Sequence, residues 1–312
     1  MTDSRANSAI KSANTWAIVT VEAAGAPVAC IEVAGELYRL EPSLARVGLP
    51  GQSSAMSLFE DWATSHAALD AVVPKLAAVD RVTPNRRLAP LLYPGKILCA
   101  GANYYDHLAE MGMPGAKKAD QRLFFFMKPP RNAVVGEGAT VHMPIATKAF
   151  DWEIELAAVI GKTARNVSLE TALSHVAAYT VSIDFSARDH NRAPETFYKL
   201  DWVAGKANDT CCPLGPRLVP ASAFENIQNV GLKLAVNGVT KQDGRTADMI
   251  FYIAEQIAIA SRIITLDPGD VLLTGTPAGV GSPKQTFLSV GDTVDASIEG
   301  IGTLSVSIQP SR

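Results

Sequence analysis

The chain has no run of lysines and arginines, no CxxC pair and no long uninterrupted apolar stretch. Each absence removes a class of function. With no basic block and a formal net charge of −3, nothing asks for nucleic acid or an anionic membrane surface, so the expected partner is a small molecule. The four cysteines, Cys30, Cys99, Cys211 and Cys212, show neither zinc-type spacing nor a disulfide framework. Adjacent Cys211 and Cys212 would bridge only with strain, so both are expected to be reduced and packed, in a reducing, cytoplasmic setting. The N-terminus "MTDSRANSAIKSANTWAIV" lacks a basic region leading into a long apolar segment, and no secretory leader is expected. The oiliest helix candidate is interrupted by Glu255 and Arg262, so no membrane span is expected either. The glycine-rich stretch "LLTGTPAGVG" lacks the GK[ST] ending of a P-loop, which argues against nucleotide binding.

What is present builds a core. The 312 residues are 47% hydrophobic and 19% charged, enough for a main domain with a smaller attachment. "TWAIVTVEAAGAPVACIEVAGELYRL" reads as two or three strands, and "SLFEDWATSHAALDAVVPKL" as a helix begun by Ser57 and stopped near Pro74. The proline-punctuated "RVTPNRRLAPLLYPGK" then marks a boundary near residue 92. Residues 1–92 are expected to form a small accessory domain and 93–312 the catalytic one. Beyond the boundary strands dominate. "KILCAGA" leads into a helix "NYYDHLAEMG" capped by Asn103, and a hairpin turns at Asn237-Gly238. A longer helix is expected over roughly 247–264, from Met249, Ile250, Ile253, Ile257, Ala260 and Ile264 at helical spacing. Helices do not alternate regularly with strands, which predicts an α+β, mainly β fold of the roll or sandwich type rather than a doubly wound sheet.

Within "FDWEIELAAVIGK", Glu153 and Glu155 point to one face of an apolar strand, because strand side chains alternate with period two. An isolated E-x-E is ordinarily a solvated strand face. Here the flanks are apolar, and a third acid, Asp184, ends another apolar strand. Carboxylates gathered in such surroundings cannot all stay ionised unless a cation joins them. Oxygen-only ligation with no cysteine nearby selects Mg²⁺, Mn²⁺ or Ca²⁺ over zinc.

His107 and Glu110, three apart on the presumed helix, share a side. Such a pair is commonly a surface contact. Functionally it is a general base, with Glu110 fixing the imidazole that takes a proton from water. The backbone N–H groups around Thr276 are candidates for holding a carboxylate or developing oxyanion. Lys128, Lys206 and Arg188 match no spacing rule and read as surface cations. The polar segment "SARDHNRAPETFYKLDW" reads as a lid.

Taken in order, "GANYYDHLAEMG", "FFMKPP", "FDWEIELAAVIGKTARNVS", "SARD", "GKANDTCCPLGP", "VNG…QDGRTADMIF" and "LDPGDVLLTGTPAGVG" resemble the fumarylacetoacetate hydrolase family, from about residue 95 to the C-terminus. The resemblance implies a mainly β catalytic domain, a homodimer, and Mg²⁺ or a similar ion on Glu153, Glu155 and Asp184. It places the catalytic His–Glu dyad on His107 and Glu110 and a substrate-facing lysine on Lys206. It implies substrate contacts at Arg188, at Asn191 and at Thr276. The chain departs from the family pattern at Asn191, where many members carry glutamine, at "GKANDT" in place of "GKSFDT", and at Trp152 in place of tyrosine. The activity implied is metal-dependent hydrolysis of a carbon–carbon bond in a 1,3-diketone or acylpyruvate-type 2-oxo acid, as in aromatic catabolism. Isomerisation or decarboxylation of a related 2-oxo acid is the alternative.

Overall fold

The structure, a computed structural model, describes residues 16–312. Two large sheets carry it, so the expected mainly β fold is the one the chain adopts. The main sheet runs in spatial order Glu36–Arg39, Ala26–Val33, Ala17–Ala23, Cys212–Pro220, Val176–Ile183, Ile154–Ile160, Val271–Leu273, Ile97–Gly101 and Phe124–Lys128. A five-stranded sheet, in the order Val239–Arg245, Gly231–Val236, Thr293–Ile298, Gly302–Gln309 and Ala139–His142, packs across it. The first strands join the main sheet directly, through Ile18 opposite Leu218.

Strand Ile154–Ile160 is central and buried along its whole length. Its even residues Leu156, Ala158 and Ile160 pack towards Leu232, Leu234 and Val294 of the second sheet. Its odd residues Ala157 and Val159 pack on the other face, in a cluster with Ile18, Phe59 and Leu214. Two covered faces account for the near-continuous apolar run. Glu153 and Glu155 fall in register with the odd set, so the period-two argument holds. It holds although the run is broken: Phe150–Asp151 forms a separate short strand, where the Asp151 carboxylate accepts the Trp152 N–H.

Several local expectations change. Ser57 does not cap the early helix. Residues Met56–Asp61 form a 3₁₀ turn, and the α-helix Trp62–Val72 starts at Asp61, whose side chain accepts the Thr64 N–H. The later helix spans only Ile253–Ile263. Met249–Phe251 stay out of it because Asn103 engages their amides, its backbone oxygen accepting the Ile250 N–H and its Oδ1 the Phe251 N–H. For the same reason Asn103 does not cap its own helix, Tyr105–Glu110: its amide is spent on the Phe251 and Thr274 carbonyls. The segment read as a lid carries one short helix, Arg188–Asn191, and a bridge from Arg192 to Leu200, and it leads into a second helix, Trp202–Lys206. No helix among the described residues is long and apolar enough to cross a membrane. All four cysteines are free and buried, as expected.

Candidate active site

The N-terminal end of Ile154–Ile160, the C-terminal end of Val176–Ile183 and the loop after Val271–Leu273 meet at one cavity of about 210 Å³. Glu153 and Glu155 line it and Asp184 lies against them, each of the three offering an oxygen within 4.8 Å of the other two, all buried. Three carboxylates so close in a dry site repel strongly unless positive charge is supplied. The chain supplies it unequally. Lys206 Nζ lies 2.7 Å from Glu153 Oε2 and 2.6 Å from Asp184 Oδ2. Arg188 Nη2 approaches Glu153 Oε1 at 2.6 Å as an ion pair, while its Nε donates to Asp151 Oδ2 at 2.9 Å. Burial alone would raise the Glu153 carboxyl, but Arg188 and Lys206 outweigh it and hold the group well below the usual carboxylate range.

Among the described residues Glu155 has no cation paired with it. It accepts only the Gly275 N–H, and burial, then the charges of Asp184 and Glu153, push its carboxyl well up. A buried carboxylate left uncompensated beside two others is the donor set that suits a hard divalent cation, so the residues present fit such an ion.

Lys128 was read as a surface lysine; it is one of the most buried side chains in the protein. Its ammonium donates to the carbonyls of Phe185 at 3.0 Å, Lys206 at 2.5 Å and Cys211 at 2.9 Å, and pairs with Asp184 Oδ1 at 2.7 Å. Burial opposes its charge, but Asp184 and its other neighbours raise it above the ordinary lysine value. It fixes both Asp184 and the end of the helix that carries Lys206. Nothing in sequence spacing signals it, since its acceptors are main-chain oxygens distant along the chain. Asp151, adjacent to the E-x-E, was also missed: fully buried, it accepts from the backbones of Gly281 and Ser282 and orients Arg188.

His107 lines the same cavity as Glu153 and Glu155, with Glu110 bonded to it from behind. His107 Nδ1 lies 2.7 Å from Glu110 Oε1, and Glu110 Oε2 accepts the Gly279 N–H at 2.9 Å. A carboxylate can only accept, so Nδ1 carries the proton and Nε2 is left to exchange one.

The glycine-rich loop does bind carboxylates, but the protein's own. Gly275 holds Glu155, Gly279 holds Glu110 and Gly281 holds Asp151. Gly275 has φ +96, and a Cβ there would come within 2.7 Å of Asn103 Cβ, so glycine is required twice over. Thr276 lines the cavity, but its hydroxyl donates to the Ile154 carbonyl and accepts from Gln242 Nε2, both at 2.8 Å. Gln242 is buried and staples this loop to the E-x-E strand through the Ile154 N–H. Asn191 also lines the cavity, with its amide donated to the Asp201 carbonyl at 3.2 Å.

Comparison with known proteins places the chain in a family. A family model described as "Fumarylacetoacetate (FAA) hydrolase C-terminal" matches residues 96–309. The oxaloacetate tautomerase fahd2, mitochondrial, of Xenopus laevis is 41% identical over 220 residues, a match spanning 70% of this chain and 66% of that protein. Among solved structures, the fumarylacetoacetate hydrolase of Exiguobacterium antarcticum superposes with a TM-score of 0.76 at 32% identity, covering 96% of this chain and all of that one. A fumarylpyruvate hydrolase from Pseudomonas aeruginosa, in complex with Mn²⁺ and pyruvate, gives 0.63 at 32% identity over 73% of this chain and 93% of that one.

Proposed function

The chain belongs to the fumarylacetoacetate hydrolase family, and from that premise we propose that it is a metal-dependent hydrolase cleaving the carbon–carbon bond of an acylpyruvate-type 2-oxo acid. The observation that carries the reading is an oriented base, His107 on Glu110, in one cavity with the acidic triad. Glu153, Glu155 and Asp184 would hold the ion, Mg²⁺ in first place with Mn²⁺ or Ca²⁺ as alternatives. When bound, it supplies Lewis-acid charge for the adjacent oxygens of a 2-oxo acid or enolised diketone.

The chain's own residues do the rest. His107 Nε2 takes a proton from a water while Glu110 keeps Nδ1–H oriented and offsets the imidazolium charge. The water oxygen attacks the acyl carbonyl carbon. The bond between that carbon and the pyruvyl methylene breaks, and its electron pair goes to the departing enolate. The Lys206 ammonium, already in the cluster, offsets the growing negative charge. The proton held by His107 returns to the enolate carbon, so one acylpyruvate and one water give a carboxylic acid and pyruvate.

A second reading, keto–enol tautomerisation of oxaloacetate, is supported by the 41% identity to a protein named for that activity. It uses the same base to move a proton at the carbon beside the keto group and needs no water. Incubation with acylpyruvates and with oxaloacetate, with and without EDTA, separates the two by product. Two products without CO₂ support hydrolysis. A change only in the keto–enol absorbance, with no acylpyruvate cleaved, sinks hydrolysis and supports tautomerisation.

A further inference from the structure

We propose that the outer part of the cavity is a binding subsite for an apolar tail, so that the preferred substrate is a 2-oxo acid whose remote end is aromatic or branched aliphatic. This rests on the reading that the acidic end of the cavity takes the 2-oxo acid head.

The cavity is divided by chemistry. Apart from its charged groups and the polar Ser186, Asn191 and Thr276, most of its wall is apolar, with Leu108, Met111, Met113, Phe124, Phe126 and Trp202 as the large side chains. The rings form a panel: Phe126 stacks on Trp202 with centroids 5.0 Å apart, and Phe124 meets Trp202 at 5.4 Å. The panel adjoins the charged end directly, since Lys206 Nζ lies 5.0 Å from the Phe126 centroid. Phe124 reaches its place because Gly101 has no side chain; a Cβ there would lie 2.1 Å from the Phe124 ring.

Part of this wall faces solvent. Phe124 is 38% exposed and Met113 51% exposed, an arrangement that stabilises whatever apolar group covers it. A carboxylate tail finds no counterpart there. Among the described lining residues the cations are Lys206 and Arg188, and both are already engaged by Glu153, with Asp184 and Asp151 as their second partners. An unpaired carboxylate moved onto this panel would lose hydration without compensation.

The test is a series of acylpyruvates with methyl, butyl, phenyl or carboxyvinyl tails, assayed for kcat/KM. It is paired with calorimetric binding of pyruvate, phenylpyruvate and oxaloacetate to the Mn²⁺-loaded protein. We expect kcat/KM to rise about fourfold per added methylene and the phenyl compound to lead. The carboxyvinyl compound should fall at least about tenfold behind it. Phe124→Ser and, independently, Trp202→Ala should flatten the series, mainly through KM, with the Mn²⁺ affinity of the free protein retained. A flat series, or one led by the carboxyvinyl tail, overturns the proposal and leaves hydrolysis standing. If no acylpyruvate is cleaved but phenylpyruvate binds more tightly than oxaloacetate, hydrolysis fails and the subsite stands. A flat series with segment 195–199 protected from deuterium exchange would assign the panel to the exposed Phe197 and Tyr198 instead, which also overturns it.

Discussion

The two ends of the cavity are built on opposite plans. At the floor nearly every polar group is already held: Asp184 by Lys128 and Lys206, Glu153 by Lys206 and Arg188, Glu110 by Gly279, and Thr276 by Ile154 and Gln242. At the mouth, aromatic and methionine side chains stand partly in solvent with few fixed partners. Preorganised polar groups gain little from relaxing around a ligand, so the floor dictates chemistry. Apolar walls of flexible and flat side chains accept many apolar shapes but compensate no charge, which is how the proposed subsite would select among substrates.

The comparison breaks most sharply if the floor is not needed. Stripping the protein with EDTA, or making Asp184→Asn, should reduce turnover to background, with recovery on adding Mg²⁺ or Mn²⁺ to the stripped wild type alone. Undiminished activity in stripped enzyme would remove the metal from the account. Next, His107→Ala should lower kcat by about 10²–10⁴ while Mn²⁺ titration of the free protein gives an affinity close to wild type. A large loss of Mn²⁺ binding in that variant would make His107 part of the frame rather than the base.

Lys128→Met sharpens the comparison from behind the site. It removes one of the two buried cations on Asp184, so unfolding stability should fall by about 3–5 kcal/mol and metal affinity by about 10–100-fold. Urea melts and Mn²⁺ titration would read these; wild-type values in both would make the buried ammonium dispensable. The smallest effect is expected at the thiols around the floor. Burial pushes the Cys211 and Cys212 thiols up to about 12, and Cys99 also rises through burial, then the charge of Asp184. Native protein at about pH 8 should therefore resist alkylation, with all four cysteines reacting once unfolded. Rapid labelling of Cys211 or Cys212 in the folded protein would show the floor to be looser than its hydrogen bonds imply.

How much of this was legible in sequence follows from which interactions are local. The E-x-E could be read because period two fixes the face of neighbouring residues, and His107–Glu110 because three residues along a helix make neighbours. Asp184 could be read because it ends an apolar run. Lys128 could not, because three of its four partners are carbonyls of residues 185, 206 and 211, and a carbonyl has no residue type. Gln242 was hidden for the same reason, since two of its three partners are main-chain groups. The helix start at Ile253 was misplaced because Asn103, far away in sequence, captures the preceding turn. Periodicity registers what a segment would do alone; it cannot register a distant side chain competing for its amides.

The loop that grips Glu155, Glu110 and Asp151 does so with peptide N–H groups alone. Every residue except proline carries that donor. The register of these three acids is thus encoded in the course of the main chain rather than in the loop's side chains. For anyone retailoring this enzyme, Gly275 and Gly279, with φ of +96 and +110 and no room for a Cβ, are the positions to leave alone.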